Sequence, residues 1–269
     1  CADHLPVPPP HAPRQRLWRI IAKHAVLAAG ATERSIVFGG NDRPGVMLAS
    51  AMRAYVNRFA VAPGREVAIF TNNDDGWDSA ADLMGAGIPV AAVIDSRPDV
   101  RRWPGRLDNV RVIAGGEVIA TAGTRSLRSI TVRCPDGRQT IAADALGVSG
   151  GWNPNVHLTC HQGGRPIWDE QIAAFVPRSM PKRMTVVGAA NGTMTLASCL
   201  ASGAEAGGRA AEDAGHKTSP LELARADDES FAVTPLWHVT ASKQKAFVDL
   251  QNDVTADDIA LSEREGFRS

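Results

Sequence analysis

The 269-residue chain carries 29 Lys+Arg against 29 Asp+Glu, with 44% hydrophobic and 22% charged residues. A balanced chain of this length can bury a large core as one big domain or two modest ones, and presents no overall field to recruit nucleic acid or an anionic membrane. No apolar run approaches the roughly 20 residues that a membrane span needs.

Cys1, Cys134, Cys160 and Cys199 are widely scattered with no CxxC pair. This argues against a disulfide framework or a thiolate metal site and fits a reducing cytosol. The opening "CADHLPVPPPH" begins on Cys and reads as the continuation of an upstream segment. Pro6 to Pro13 excludes a helix or a central strand. "LWRIIAKHAVLAAG" suggests a hairpin feeding a buried strand that stops on Ala29-Gly30. Small side chains at that stop either admit another group to the backbone or serve the turn geometry alone.

Pro44 suits a first helical position, and Val46, Ala49, Met52, Val56 and Phe59 recur at helical spacing. The pattern predicts an amphipathic helix over 44–60, closed by "APG" at 62–64. A short buried strand "EVAIFT" (66–71), a helix "DSAADLMGAG" (78–87) and a strand "PVAAVID" (89–95) then form a βαβ unit, the half-motif of a dinucleotide-binding sheet. The Asp136-Gly137 turn between two strand-like runs marks a β-hairpin. "ALGVSGGWNPN" repeats the earlier grammar of apolar strand, small-residue stop and polar turn. "MTVVGAA" (184–190) predicts a strand running into an Ala-rich helix, with Ala197, Ala201, Ala204 and Gly208 on one closely packing side. Residues 215–235 read as a polar linker. In the tail, Thr255 is a predicted N-cap with Asp258 three residues on, and Gly266 is a stop.

This order resembles the two-dinucleotide-binding-domain flavoprotein fold, an α/β architecture in which a second nucleotide fold is inserted into a first. Gly30 and Gly150-Gly151 would be its crossing points. The expected divisions are 1–64 (part of the first FAD/NAD(P)-binding domain, its GxGxxG region lying upstream), 65–145 (the inserted domain), 146–215 (the return to the first), 216–236 (linker) and 237–269 (the start of a small helical domain). The runs "VFGGNDRPGVMLASAMRAYVNRFAVAPG", "FTNNDD", "VSGGWNPNVHL", "HQGGRPIWDE" and "VDLQNDVTADDIALSEREGFRS" resemble, more closely, the alpha subunit of heterotetrameric sarcosine oxidase.

That resemblance implies an NAD in this nucleotide fold, an FMN shared at the interface with the beta subunit, and FAD in the beta subunit. It implies beta, gamma and delta subunits as partners and a downstream aminomethyltransferase-like domain passing a one-carbon unit from sarcosine to tetrahydrofolate. These 269 residues would then be inactive in isolation, a cofactor-holding scaffold with no catalytic acid, base or nucleophile of their own. A stand-alone FAD/NAD(P)-dependent reductase and a nucleotide-fold module serving only as an interface between subunits are the alternatives.

The resemblance places NAD beside Gly188, Ala189, Met194 and Leu196, and puts Ala29 and Gly30 where the fold closes over it. A strand end followed by a helix start can present free N–H groups and a positive dipole end to a phosphate; tight helix–sheet packing is the competing explanation. In the inserted unit "FTNNDDGWDS" stands where a glycine loop belongs, with carboxylates where a pyrophosphate would lie, so one dinucleotide is expected, not two. Asp95 falls at a ribose-binding position by spacing alone. Asp74, Asp75 and Asp78 read as a solvated helix start, and the tryptophans as packing residues. His157 and His161 at i, i+4 lack the further ligands that zinc requires, so no metal is expected. Related dehydrogenases carry a C-x-C for [2Fe-2S] where this chain has Asp249 and Gln251, and without thiols no cluster is expected.

Overall fold

The computed structural model describes residues 2–100, 107, 110–161, 163–219, 222–227 and 231–268. Its centre is a parallel five-stranded sheet in the order Val46–Leu48, Ala145–Ser149, Val67–Thr71, Val90–Asp95, Val112–Ala114. Every residue of Val67–Thr71 and of Ala145–Ser149 is buried, the continuous apolar pattern of strands covered on both faces.

Alternation along these strands assigns the faces. Val67, Ile69 and Val93 join Met52, Trp77 and Leu83 under the helices Ala49–Phe59 and Asp75–Gly85. Ala68, Phe70 and Ile94 point the other way, onto a three-stranded antiparallel sheet (Glu117–Ala122, Ser129–Cys134, Gly137–Ala142) through Phe38, Val118 and Ile130. Phe38 meets Phe70 edge-on at 5.9 Å. The result is three layers around two apolar seams.

The predicted helix over 44–60 divides. Val46–Leu48 is a strand in register with Leu146–Val148, and the helix starts at Ala49. Three apolar residues bonded to a central strand bury both backbone and side chains, a gain that one more helical turn does not match. Pro44 therefore sits outside the helix, its carbonyl accepting from the Leu127 N–H at 2.8 Å. The expected hairpin forms with its turn at Pro135-Asp136, one residue earlier than read, and Gly137 opens the second strand at φ +117°. The five-stranded sheet draws Val46–Leu48 from before residue 65, and its strand Ala145–Ser149 straddles the expected division at 145/146.

Ala25–Leu27 pairs in parallel with Met184–Val186. Val26 is 40% exposed, so this expected buried strand is half open. After it the chain crosses toward the larger sheet. It returns alongside itself, with Ala31–Glu33 antiparallel to Trp152–Pro154. At Gly150 a Cβ would lie 2.8 Å from the Arg34 carbonyl oxygen; glycine is required because the two crossing backbones touch. Gly76 serves likewise: a Cβ there would fall 2.4 Å from Thr71 Cβ, so its absence lets helix Asp75–Gly85 press onto the strand.

Helix Leu196–Asp213 also departs from expectation. Ala206 is its buried residue, whereas Ala201 is exposed. Ala201, Ala204 and Gly208 border an open groove of about 1220 Å³ shared with Thr218 and Leu223. They line this open groove and do not form a tight seam. The helix is anchored instead at its end, where Asp213 meets His24 Nδ1 at 2.6 Å and Lys23 donates to the Ala214 carbonyl at 3.1 Å. The polar stretch read as a linker is in part a strap, with Val233 bridging Asn73, and just beyond it His238 bridges Val37. The tail behaves as read: Thr255 and Asp258 form a reciprocal capping box on helix Ala256–Arg264.

Candidate functional site

In a parallel sheet the carboxyl ends of the strands form the crevice where ligands bind. Two such crevices exist here, and they differ in what fills them.

At the first, Leu27 and Val186 are register partners, so the turns after them stand side by side. Gly30 (φ +69°) turns the chain in the left-handed region, and a Cβ there would meet nothing within 4 Å. Asn155 fixes this turn, donating its Nδ2 to the Ala29 carbonyl at 2.8 Å and its backbone N–H to the Gly30 carbonyl at 3.0 Å. Gly188 (φ +64°) opens a 3-10 turn over Gly188–Asn191, and a Cβ there would meet only Cys199 Sγ at 3.7 Å. Beside these turns lies a cavity of about 310 Å³ lined by Ala31, Asp75, Trp152, Ala189, Met194 and Phe231. Of the expected residues, Ala189 and Met194 thus line one pocket, next to the Ala29-Gly30 turn. Leu196 does not line it and is 52% exposed at the helix start.

Sequence reasoning missed Asp75, Trp152 and Phe231. Asp75 is no solvated helix start: its Oδ1 accepts from Arg53 Nη1 at 3.2 Å, while its buried Oδ2 has no hydrogen-bond partner. Burial pushes its carboxyl above the usual range, opposed by the Arg53 guanidinium and the Trp152 indole. Behind it Glu33, 5% exposed, accepts the Ser50 N–H at 2.9 Å and so caps helix Ala49–Phe59 from a distant strand. Its Oε1 is also unpartnered. Burial raises the Glu33 carboxyl and the Asp75 charge adds to this, against hydrogen bonds from Ser50 and Ser149.

A raised carboxyl means the fold holds a proton that the unfolded chain releases, so stability falls as pH climbs through the raised value. Glu33→Gln keeps the acceptor for Ser50 and removes the charge. It is expected to raise stability by on the order of 1 kcal/mol at pH values where the native carboxyl is ionised and to flatten the decline of stability above the ordinary carboxylate range. Urea denaturation as a function of pH measures it; an unchanged slope would show that Glu33 is not strained.

The second crevice, at the ends of Val67–Thr71 and Val90–Asp95, is filled by the chain itself. Asp95 is fully buried and accepts from Trp77 Nε1 at 2.7 Å and Arg97 Nη2 at 2.8 Å. Arg97 reaches on to Asp74 Oδ1 at 2.7 Å and the Ala232 carbonyl at 3.0 Å. N–H groups that would face a phosphate at this helix start are taken, that of Asp74 by the Ala232 carbonyl and that of Asp75 by Asn73 Oδ1. Asp74, expected to be solvated, is 8% exposed. Its Oδ2 accepts the Ala232 N–H at 2.8 Å from 158 residues along the chain.

Arg34 holds the crossing. It donates to the Gly150 carbonyl and Asn153 Oδ1, both at 2.7 Å, and lies 4.3 Å above the Trp237 ring. Burial lowers its guanidinium pKa to about 10. In the tail, the Asp249 carboxylate folds onto its own loop and accepts from the Gln251 N–H at 2.8 Å.

These layers and their paired crevices define an α/β Rossmann-like nucleotide-binding fold. L-proline dehydrogenase from P. horikoshii superposes with a TM-score of 0.62 at 18% identity, over 91% of this chain and 46% of that one. T. acidophilum thioredoxin reductase gives 0.58 at 14%, over 72% and 67%. In sequence, the chain is homologous to the alpha subunit of sarcosine oxidase. It is 45% identical over 269 residues to that subunit from Rhizobium meliloti (strain 1021), covering 98% of this chain and 27% of the relative. The subunit from Corynebacterium sp. (strain P-1) is 37% identical over 95% of this chain and 28% of its own length. The chain thus spans about a quarter of the curated relatives it matches. An opine oxidase subunit from Agrobacterium tumefaciens (strain Ach5) is 26% identical over 59% of the chain and 36% of its own length. No protein-family model matches.

Proposed function

We propose that this chain is the nucleotide-binding stretch of a sarcosine oxidase alpha subunit, holding one NAD. The observation that carries the reading is the pair of left-handed glycine turns, Gly30 and Gly188, at the ends of two parallel strands, with the Ala31–Ala189–Met194 pocket beside them. The fit rests on space: side-chain positions at both glycines are open or in ordinary contact, so a dinucleotide can lie against the backbone. Ala29, Gly30, Gly188, Ala189 and Met194 would hold it, with Leu196 at the rim. The second crevice does not fit a dinucleotide, because Arg97 and Ala232 already satisfy its polar groups.

When bound, NAD would supply a hydride-accepting nicotinamide or a structural clamp. This chain's residues orient it and exclude water, and the oxidation itself belongs to other cofactors. In the whole enzyme, FMN would lie at the interface with the beta subunit, which would itself hold FAD, with gamma and delta subunits completing the assembly. The reaction would be the oxidative demethylation of sarcosine to glycine, with O2 reduced to H2O2 and the one-carbon unit passed to tetrahydrofolate. The test is stoichiometric: acid-denatured full-length alpha subunit should release one equivalent of NAD, and release of two or none would overturn the assignment.

A further inference from the structure

The pocket beside the glycine turns has a wall chemistry of its own. Trp152 and Phe231 contribute aromatic surface, Met194 a thioether and Ala31 and Ala189 methyl groups, while Asp75 is its one acidic lining residue. That carboxylate leaves Oδ2 buried without a hydrogen bond of ordinary geometry, although the Trp152 indole is near enough to favour its charge. Around it the charge is unbalanced. Arg53 is shared between Asp75 and Asp82, at 3.2 and 2.7 Å, and Glu33 stands behind with its own unpartnered oxygen. Two carboxylates thus share one guanidinium, and the Glu33 carboxyl lies close enough to feel the Asp75 charge. Such a pocket repels phosphate, and it suits a flat ring that carries positive charge or an N–H donor.

Resting on the reading that NAD binds here, we propose that this pocket takes the nicotinamide ring in its oxidised, cationic form, and that Asp75 selects oxidised over reduced dinucleotide. The carboxamide N–H of the ring would supply the donor that Asp75 Oδ2 lacks. Trp152 and Phe231 would offer their faces to the ring. A cation gains from the carboxylate and the aromatic walls, whereas the neutral dihydronicotinamide keeps only stacking and the hydrogen bond. The volume of about 310 Å³ admits one ring and not the whole dinucleotide, which leaves the phosphates toward the Gly30 and Gly188 turns.

The test uses the assembled complex freed of endogenous nucleotide and titrated calorimetrically with NAD⁺, NADH and ADP-ribose, the last lacking the ring. Asp75→Asn keeps the Arg53 contact and should weaken NAD⁺ about tenfold and NADH, which loses only the hydrogen bond, about threefold, leaving ADP-ribose within about twofold of wild type. Asp82→Asn, which perturbs the same Arg53 outside the pocket, should leave the NAD⁺/NADH ratio unchanged. Phe231→Leu, a variant independent of the helix start, should lower that ratio about threefold. Equal losses for NAD⁺ and ADP-ribose in Asp75→Asn, or no loss in either, would place the ring elsewhere and overturn the inference while sparing the dinucleotide reading. If the wild-type complex binds none of the three ligands, both fall together.

Discussion

Replacing Arg97 by Met should destabilise the protein by about 3–5 kcal/mol, the range for removing one partner of a buried ionic group. Its side chain is 12% exposed, between Asp95 at 0% and Asp74 at 11%. Burial alone would lower the Arg97 guanidinium, yet hydrogen bonds and charge from both aspartates outweigh it and hold the group above its ordinary value. Without it, Asp95 would keep the Trp77 indole and the Arg97 backbone N–H as donors and would remain a buried charge with no counter-ion. Arg97→Lys should fall between, because one ammonium cannot span Asp95, Asp74 and the Ala232 carbonyl as the guanidinium fork does. Neutralising the whole cluster, with Asp74→Asn, Asp95→Asn and Arg97→Met together, should recover most of the loss. Urea unfolding measures each step. A cost below about 1 kcal/mol for Arg97→Met would show the cluster to be as weak as a solvated surface pair. Release of Ala232 should also make the strap near residue 232 easier to cleave by limited proteolysis, a local readout separate from global stability.

Ala189→Leu should weaken NAD binding to the full-length alpha subunit by about a hundredfold, the scale of a steric clash worth a few kcal/mol. Ala189 sits on the wall of a pocket of only about 310 Å³, and a branched side chain there projects into the space a ligand ring needs. The folded core should not suffer, since Ala189 is partly exposed and belongs to neither apolar seam. Ala197→Leu, in the following helix and outside the pocket lining, is the matched control and should retain full NAD content. The nucleotide that stays bound through gel filtration, counted per alpha chain, decides the matter. Full retention in Ala189→Leu would make the small residues after Val187 a packing device, and would remove the reason for reading the Gly30 turn as ligand-facing.

The sequence by itself determined the elements whose signal is local. "EVAIFT" and "PVAAVID" became central strands because unbroken apolar runs can be satisfied only where both faces are covered. Thr255 and Asp258 cap a helix because that hydrogen-bond pair closes within one turn. The turn after Met184–Val186 was legible for a related reason, since small residues directly after a parallel strand mark where the chain leaves the sheet; Ala189 and Met194 as ligand contacts came only from the resemblance. The tertiary structure alone decided the split of 44–60 into strand and helix. Helical periodicity was present there, but a central strand offered Val46–Leu48 a better set of bonds. It also decided the fate of the aspartates. A carboxylate's environment depends on which distant group reaches it, and Arg97, Arg53 and Ala232 arrive from 23, 22 and 158 residues away. Trp152 and Phe231 join Asp75 only because the crossing at Gly150 and the strap carry three separate segments to one place. Periodicity records which face of an element is apolar. It carries no record of which faces meet, and a buried charge takes its properties from that meeting.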